Sequence, residues 1–412
     1  MTVRYLIVGG GLAAARAAEG IREVDPDGDV TIIGAEQRLP YERPPLSKGI
    51  LLGSDEADTA FTHPAGWYDD QHITVRTGET VDAIDPAAHT ATLAGGEELA
   101  WDRLLLATGA SVRALDVPGG DLPGVRYLRT LDDCLGLLDD LKAGGDVVVI
   151  GASWIGLEVT AAARTHGANV TVVGPGPEPL HSVLGEQVGA WFRRLHESRG
   201  VTFKLGTRVA RVEGEDAVTG VVTDAGETLP ARLVVAGVGV VPVTELAEAA
   251  GAEVDNGILT DAALRTSLPD VWAAGDVARW DNPAVGTHVR VEHWANALDG
   301  GFAAGRSMAG AEVSYDPLPF FFSDQYDAGM EYAGYVPKDA GAEVVVRGDL
   351  ASEAFMAFWV VDEGAGVRVL AGMHVNTWDT MDAVQGLIRS GKPVARDRLA
   401  DPDVPLEQLT EG

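Results

Sequence analysis

Two short glycine-rich runs carry the first chemistry legible in the chain. Gly9-Gly10-Gly11-Leu12-Ala13-Ala14 follows the apolar run Tyr5 to Val8, and Gly151-Ala152-Ser153-Trp154-Ile155-Gly156 follows Val147 to Ile150. A small-residue turn from a strand into a helix aims backbone N–H groups and the positive end of the helix at a pyrophosphate. In the first run Gly9 allows the tight turn, Gly11 lets the backbone approach the phosphates, and Ala14 lets helix and strand pack closely. In the second, Ser153 stands where the pattern has its middle glycine, so the approach is narrower there. One such run is also compatible with packing alone; two in one chain imply two dinucleotides.

An acid is expected at the end of the second strand of each unit, to accept hydrogen bonds from an adenosine ribose. Ala35 occupies that position in the first unit and Glu36 follows it; the second unit has Gly174-Pro175-Gly176-Pro177, with neither a carboxylate nor a cation for a 2′-phosphate. NADH is therefore the expected nicotinamide, with NADPH as the other candidate. Ala107-Thr108-Gly109 and Gly275-Asp276 each end an apolar strand in a small-residue turn, a pattern that serves either packing or a cofactor.

These residues need elements to hold them. Tyr5 to Val8, an alanine-rich helix to about Glu23 and a returning strand Val30 to Ile33 form one βαβ unit. Asp146 to Ile150, a helix from Trp154 and a strand Val170 to Val173 repeat it. Strand-rich stretches at Thr74 to Leu99 and Val201 to Leu229 follow the two units, Asp116 to Pro123 reads as a crossover, and Gly239 to Pro242 as a hinge. After Asp316-Pro317-Leu318-Pro319 come aromatic strands at Phe320 to Phe322 and Phe355 to Val361, then a helix over Asp379 to Arg389. The expected fold is α/β: two nested Rossmann-like (glutathione-reductase-type) dinucleotide-binding domains plus a C-terminal α+β domain. The divisions are 1–112 with 243–316 for one dinucleotide-binding domain, 113–242 for the other and 317–412 for the C-terminal domain.

Composition narrows the function. The chain has 412 residues, 46% hydrophobic and 23% charged, so it is globular and enzyme-sized. A net charge of -31 opposes binding to nucleic acid or an anionic membrane. No apolar stretch is long enough to span a bilayer, and the amino terminus lacks a secretory apolar region, so a cytoplasmic protein is expected. The single cysteine, Cys134, supports neither a disulfide nor a metal cluster, so no metal site is expected. It reads as a buried helical spacer far from the cofactor motifs.

The order of the motifs resembles one family. The first glycine run, Leu39-Pro40-Tyr41-Glu42-Arg43-Pro44-Pro45-Leu46-Ser47-Lys48, Ala107-Thr108-Gly109, the second glycine run ending in Glu158, Gly275-Asp276 and Glu292-His293-Trp294-Ala295-Asn296-Ala297 are similar to the FAD-dependent NAD(P)H:ferredoxin reductases of bacterial cytochrome P450 and Rieske oxygenase systems. Rubredoxin reductases and apoptosis-inducing factors are relatives. Phe321-Phe322-Ser323-Asp324-Gln325-Tyr326-Asp327 and Trp378-Asp379-Thr380-Met381-Asp382-Ala383 extend the likeness to the carboxy terminus.

The resemblance implies an FAD set of Gly9, Gly11, Leu12, Ala13, Ala35, Glu36, Arg43, Pro44, Lys48, Val81, Ala107, Thr108, Gly109, Arg129, Gly275, Asp276, Glu292, His293 and Trp294. It implies a nicotinamide set of Gly151, Ser153, Trp154, Ile155, Gly156, Glu158, Gly237 and Gly239. Lys48 and Glu158 take the catalytic role: a cation beside the flavin N5 region stabilises the negative charge of reduced flavin, and the carboxylate fixes the ammonium. Phe320 and Phe322 fall where relatives often have Trp, and Gly300 where they often have Gln. The implied acceptor is an acidic [2Fe–2S] ferredoxin, with Arg389, Lys392, Arg396 and Arg398, a cluster in sequence, as its candidate docking site or else a solvated tail; the protein itself is expected as a monomer or homodimer. The other readings are an NADH-dependent redox-sensing flavoprotein resembling apoptosis-inducing factor, and a rubredoxin reductase.

Overall fold

The structure is a computed structural model that describes residues 2–410. It divides into two compact units. Unit 1 comprises residues 1–42, 60–111 and 240–320; unit 2 comprises 43–59, 112–239 and 321–412.

Unit 1 is built on a five-stranded parallel sheet ordered Val271–Ala273, Arg103–Leu106, Arg4–Val8, Asp29–Gly34, Ile73–Thr77. Near-continuous apolar runs such as Leu104-Leu105-Leu106 are buried, as befits a sheet covered on both faces. The strand that carries the first glycine run lies at its centre, and its register with the return strand pairs Val8 with Ile33. Helix Leu12–Val24 leaves that strand and packs on helix Trp294–Met308. Their contact depends on glycine: a Cβ on Gly301 would lie 2.4 Å from the Ala13 carbonyl oxygen, and one on Gly305 would lie 2.0 Å from that of Ala17. A three-stranded antiparallel sheet, Val81–Asp85, Thr90–Leu93 and Glu98–Ala100, is inserted before strand Arg103–Leu106.

Unit 2 repeats the plan. Its parallel sheet runs Thr202–Leu205, Asn169–Gly174, Asp146–Ile150, Leu233–Ala236, Val125–Arg126, with the second glycine-run strand at the centre. Val209–Gly214, Val218–Thr223 and Thr228–Pro230 form the matching antiparallel insertion. The expected hinge is a strand, Val240–Pro242, paired with Ala110–Val112.

The carboxy-terminal region forms a five-stranded sheet ordered Phe320–Gln325, Ala328–Gly334, Val367–Val375, Phe355–Asp362, Glu343–Gly348, backed by helix Met381–Ser390. Within unit 2 this sheet and the second nucleotide-binding fold share one core: Leu157, Leu184, Trp191 and Phe192 pack with Met330, Tyr332, Trp359 and Met373. Arg347, on strand Glu343–Gly348, is buried and donates to the backbone carbonyls of Leu399, Pro402 and Val404, tying the last turns of the chain to the sheet. No helix among the described residues is long and apolar enough to cross a membrane.

Candidate cofactor and electron-transfer sites

In unit 1 the backbone leaves its central strand through Gly9 at a φ of 127°. A Cβ there would lie 2.1 Å from the Ala107 carbonyl oxygen, so glycine alone lets the turn seat against Ala107-Thr108-Gly109. That second turn is pinned in its own right: Thr108 Oγ1 donates to the Val243 carbonyl at 2.6 Å, and the Val243 N–H donates back to Gly109 O at 3.0 Å. Gly11 caps helix Leu12–Val24 with no side-chain hydrogen bond and no acid in the first turn, and a Cβ on Gly11 would meet nothing within 4 Å. Helix Leu131–Lys142 is the contrast, with a Thr130–Asp133 capping box and two acids in its first turn. The glycine-run helix thus presents N–H groups and a positive dipole to open space, a cradle that fits a pyrophosphate.

Of the remaining unit 1 residues of the FAD set, Leu12, Ala13 and Gly275 meet at this helix end and the others lie on neighbouring elements. Leu12 and Ala13 are buried in the first turn, and a Cβ on Gly275, at φ 77°, would lie 3.1 Å from the Ala13 Cβ. Asp276 lies in the short turn Gly275–Val277, and Val81 is buried at the start of its strand. Ala35 is exposed at the end of strand Asp29–Gly34, while the half-buried Glu36 accepts a 2.5 Å hydrogen bond from Tyr41. Glu292 pairs with Arg290 at 2.6 Å. His293 caps helix Trp294–Met308, and burial pushes its imidazole down to about 4. Trp294 Nε1 donates to Glu42 at 2.8 Å.

Gly300 has a packing reason. A Cβ there would stand 3.3 Å from the Tyr315 ring and hydroxyl. That hydroxyl donates to Asn296, whose amide donates in turn to the Gly275 and Val291 carbonyls.

Unit 2 repeats the turn at Gly151, φ 107°, where a Cβ would lie 2.3 Å from the Gly237 carbonyl oxygen. Ser153 caps helix Trp154–Thr165, yet its hydroxyl bends back to Gly237 O at 3.3 Å and leaves the helix N–H groups without a side-chain cap. Ile155 is 43% exposed beside them. Trp154 packs edge-on against Phe192 and Phe321, and a Cβ on Gly156 would strike the Gly151 carbonyl oxygen at 2.0 Å. Gly239, at φ 98°, accepts from the Arg113 N–H.

One helical turn after Trp154, the Glu158 carboxylate is 4% exposed and fully engaged. Oε1 accepts from Lys48 Nζ at 2.9 Å and from Ser323 Oγ at 2.6 Å; Oε2 accepts from Ser47 Oγ. Lys48 ends the turn Pro44–Ser47, and its ammonium lies 5.2 Å from the centre of the Phe322 ring. Arg43 starts that turn and donates to the Arg129 carbonyl. Cys134 is buried in helix Leu131–Lys142 as expected, but it is not remote from the site residues. Its thiol donates to the Leu46 carbonyl at 3.1 Å, two residues before Lys48, and burial pushes it up to about 11, which leaves it unreactive.

Two family models match the chain: pyridine nucleotide-disulphide oxidoreductase over residues 3–301 and reductase C-terminal over residues 320–410. The ferredoxin–NAD(+) reductase component of the anthranilate 1,2-dioxygenase system of Burkholderia cepacia is 42% identical over 98% of both chains. The chain belongs to the ferredoxin–NAD(+) reductase family. Rhodocoxin reductase of Rhodococcus erythropolis is 37% identical over 98% of this chain and 93% of its own. The reductase in a crystal structure of a covalent putidaredoxin reductase–putidaredoxin complex superposes with a TM-score of 0.94 at 35% identity, covering 99% of this chain and 98% of that one. The enzyme is therefore an oxidoreductase of the kind that uses FAD and a nicotinamide dinucleotide.

Sequence reasoning missed Ser47 and Ser323, the two hydroxyls on Glu158, and behind them Gln325 and His196. A signal for two of them was present. Ser323 and Gln325 alternate on one strand with Phe321, so polar side chains share a face with an apolar one that packs inward.

Proposed function

We propose that this enzyme passes electrons from NADH through FAD to a small [2Fe–2S] ferredoxin that serves a cytochrome P450 or an aromatic-ring dioxygenase. The observation that carries the reading is the pair of glycine-run helices without side-chain caps together with a lysine held by a buried carboxylate. Over one turnover NADH gives a hydride and becomes NAD+, two ferredoxins each take one electron, and one proton returns to solvent. FAD, when bound, converts the two-electron donor into two one-electron deliveries.

This chain's residues bind and hold. Gly9, Gly11 and the Ala107 to Gly109 turn receive the FAD pyrophosphate, and Glu36 serves the ribose that Ala35 cannot reach. Gly151, Ser153 and Gly156 receive the nicotinamide dinucleotide. Lys48, fixed by Glu158, supplies a stationary positive charge against the negative charge that reduction places on the flavin. The functional division follows the sequence: 1–112 with 243–316 for FAD, 113–242 for NADH, and 317–412 as the ferredoxin-facing domain. NADH is preferred because no cation follows strand Asn169–Gly174 to greet a 2′-phosphate. We place the enzyme in the cytoplasm, where its nicotinamide donor is regenerated.

An anaerobic stopped-flow record tests this. The FAD-loaded enzyme is mixed with NADH or NADPH and then with a [2Fe–2S] ferredoxin. Fast bleaching by NADH and recovery of the flavin band on adding ferredoxin are expected. Slow bleaching that ferredoxin does not reverse would contradict the proposal.

A further inference from the structure

Behind the Glu158–Lys48 pair, unit 2 contains a run of polar side chains that the pairing itself does not require. Tyr326 OH lies 3.3 Å from His196 Nδ1, His196 Nε2 lies 2.8 Å from Gln325 Oε1, Gln325 Nε2 donates to Ser323 Oγ at 3.1 Å, and Ser323 Oγ donates to Glu158 Oε1 at 2.6 Å. His196, Gln325 and Ser323 are all buried. Buried polar groups left unpaired are costly, so such a run persists only if each member is satisfied.

Its polarity is determined link by link. Gln325 offers a carbonyl oxygen to His196, so His196 Nε2 must be the donor, and burial holds the ring neutral by pushing its pKa down to about 4. Nδ1 is then an acceptor for Tyr326. With its carbonyl engaged, Gln325 must use its amide N–H on Ser323, and the serine hydroxyl turns its own proton to Glu158. Every link donates toward Glu158 and meets it on Oε1, the same oxygen that accepts from Lys48. An amide does not relay protons readily in both senses, so the run is suited to fixing geometry rather than conducting charge.

We infer that Gln325 and His196 are positioning residues for electron entry: acting through Ser323, they hold the Glu158 carboxylate, and with it the Lys48 ammonium, in the one arrangement that serves flavin reduction. The inference rests on the reading that the Lys48–Glu158 pair acts in that step.

The test uses the full-length, FAD-loaded enzyme and measures the rate of flavin reduction at saturating NADH alongside the KM for NADH and the FAD content. Gln325→Leu is expected to slow reduction by about tenfold with KM unchanged, the upper end of the effect of one lost neutral hydrogen bond. Ser323→Ala should match it, Ser323→Thr should restore the rate by retaining the hydroxyl, and Gln325→Leu combined with Ser323→Ala should be no slower than Ser323→Ala alone, because both act along one path. A merely structural role would lower thermal stability without this rescue and non-additivity. Lys48→Met separates the two claims. If it slows reduction while flavin-replete Gln325→Leu and Ser323→Ala reduce at the wild-type rate, the positioning run is overturned and the pair stands; if Lys48→Met itself reduces at the wild-type rate, the reading of the pair fails and the inference falls with it.

Discussion

Gly9 and Gly151 adopt φ values of 127° and 107°, and a Cβ on either would strike a carbonyl oxygen, Ala107 at 2.1 Å or Gly237 at 2.3 Å. The backbone device is therefore the same in both units, and the surroundings differ. In unit 1 the capping residue Gly11 faces open space and a carboxylate, Glu36, follows the return strand; in unit 2 Ser153 folds back on Gly237 and no carboxylate follows Gly174 until Glu178, which is paired with Arg193. The positions seven residues after each turn glycine also diverge. Arg16 is partly exposed, pairs with Glu19 and lies over the Phe302 ring, whereas Glu158 is buried with three donors. One plan has been given a holding site in one unit and a charge-bearing helix in the other. The difference lies in side chains that the shared fold leaves free to vary.

Acid should press on both units alike. His293 in unit 1 and His196 in unit 2 are each pushed by burial from 6.5 down to about 4. Their unfolded forms bind a proton that the folded forms refuse, so stability falls as pH drops from about 6.5 toward 4, by about 2 kcal/mol per histidine between about pH 7 and 5. Denaturant midpoints across that range measure it; a flat profile would contradict the buried neutral assignment.

Removing one cation from each unit should separate the two. Lys48→Met is expected to slow flavin reduction about 100-fold with FAD retained, the usual scale for removing one electrostatic stabiliser. Arg16→Met should leave that rate within about twofold and cost no more than about 1 kcal/mol, as for other partly exposed ion pairs. Equal kinetic effects would dissolve the contrast. The smallest effect expected is at Gly300: alanine there presses on the Tyr315 ring at 3.3 Å and should lower stability by about 1 kcal/mol, read as a drop in Tm, with no change in nicotinamide affinity.

Both sheets, both glycine turns and the two antiparallel insertions were legible because each depends on local signals, apolar runs and glycines in sequence order. The Lys48–Glu158 pair was legible only through motif order, since 110 residues separate its members. Ser323 reaches Glu158 across 165 residues and His196 reaches Gln325 across 129, and no local periodicity encodes such meetings. Cys134 is the instructive miss. Its helix was foreseen, but the Leu46 carbonyl that its thiol meets is set by how helix Leu131–Lys142 packs on the turn Pro44–Ser47.

Gly11 offers the most direct test of the central claim that one turn holds FAD and the other the nicotinamide. A side chain there meets no protein atom within 4 Å and its φ of -96° suits any residue, so Gly11→Val should fold normally and fill only the space claimed for the pyrophosphate. Bound FAD per chain and the dissociation constant for NADH would be measured in Gly11→Val and Ser153→Val. Gly11→Val is expected to be purified folded and nearly free of FAD, and Ser153→Val to keep its FAD while binding NADH about tenfold more weakly, a loss of about 1.4 kcal/mol. A Gly11→Val protein with full FAD, or a Ser153→Val protein that loses it, would contradict the account.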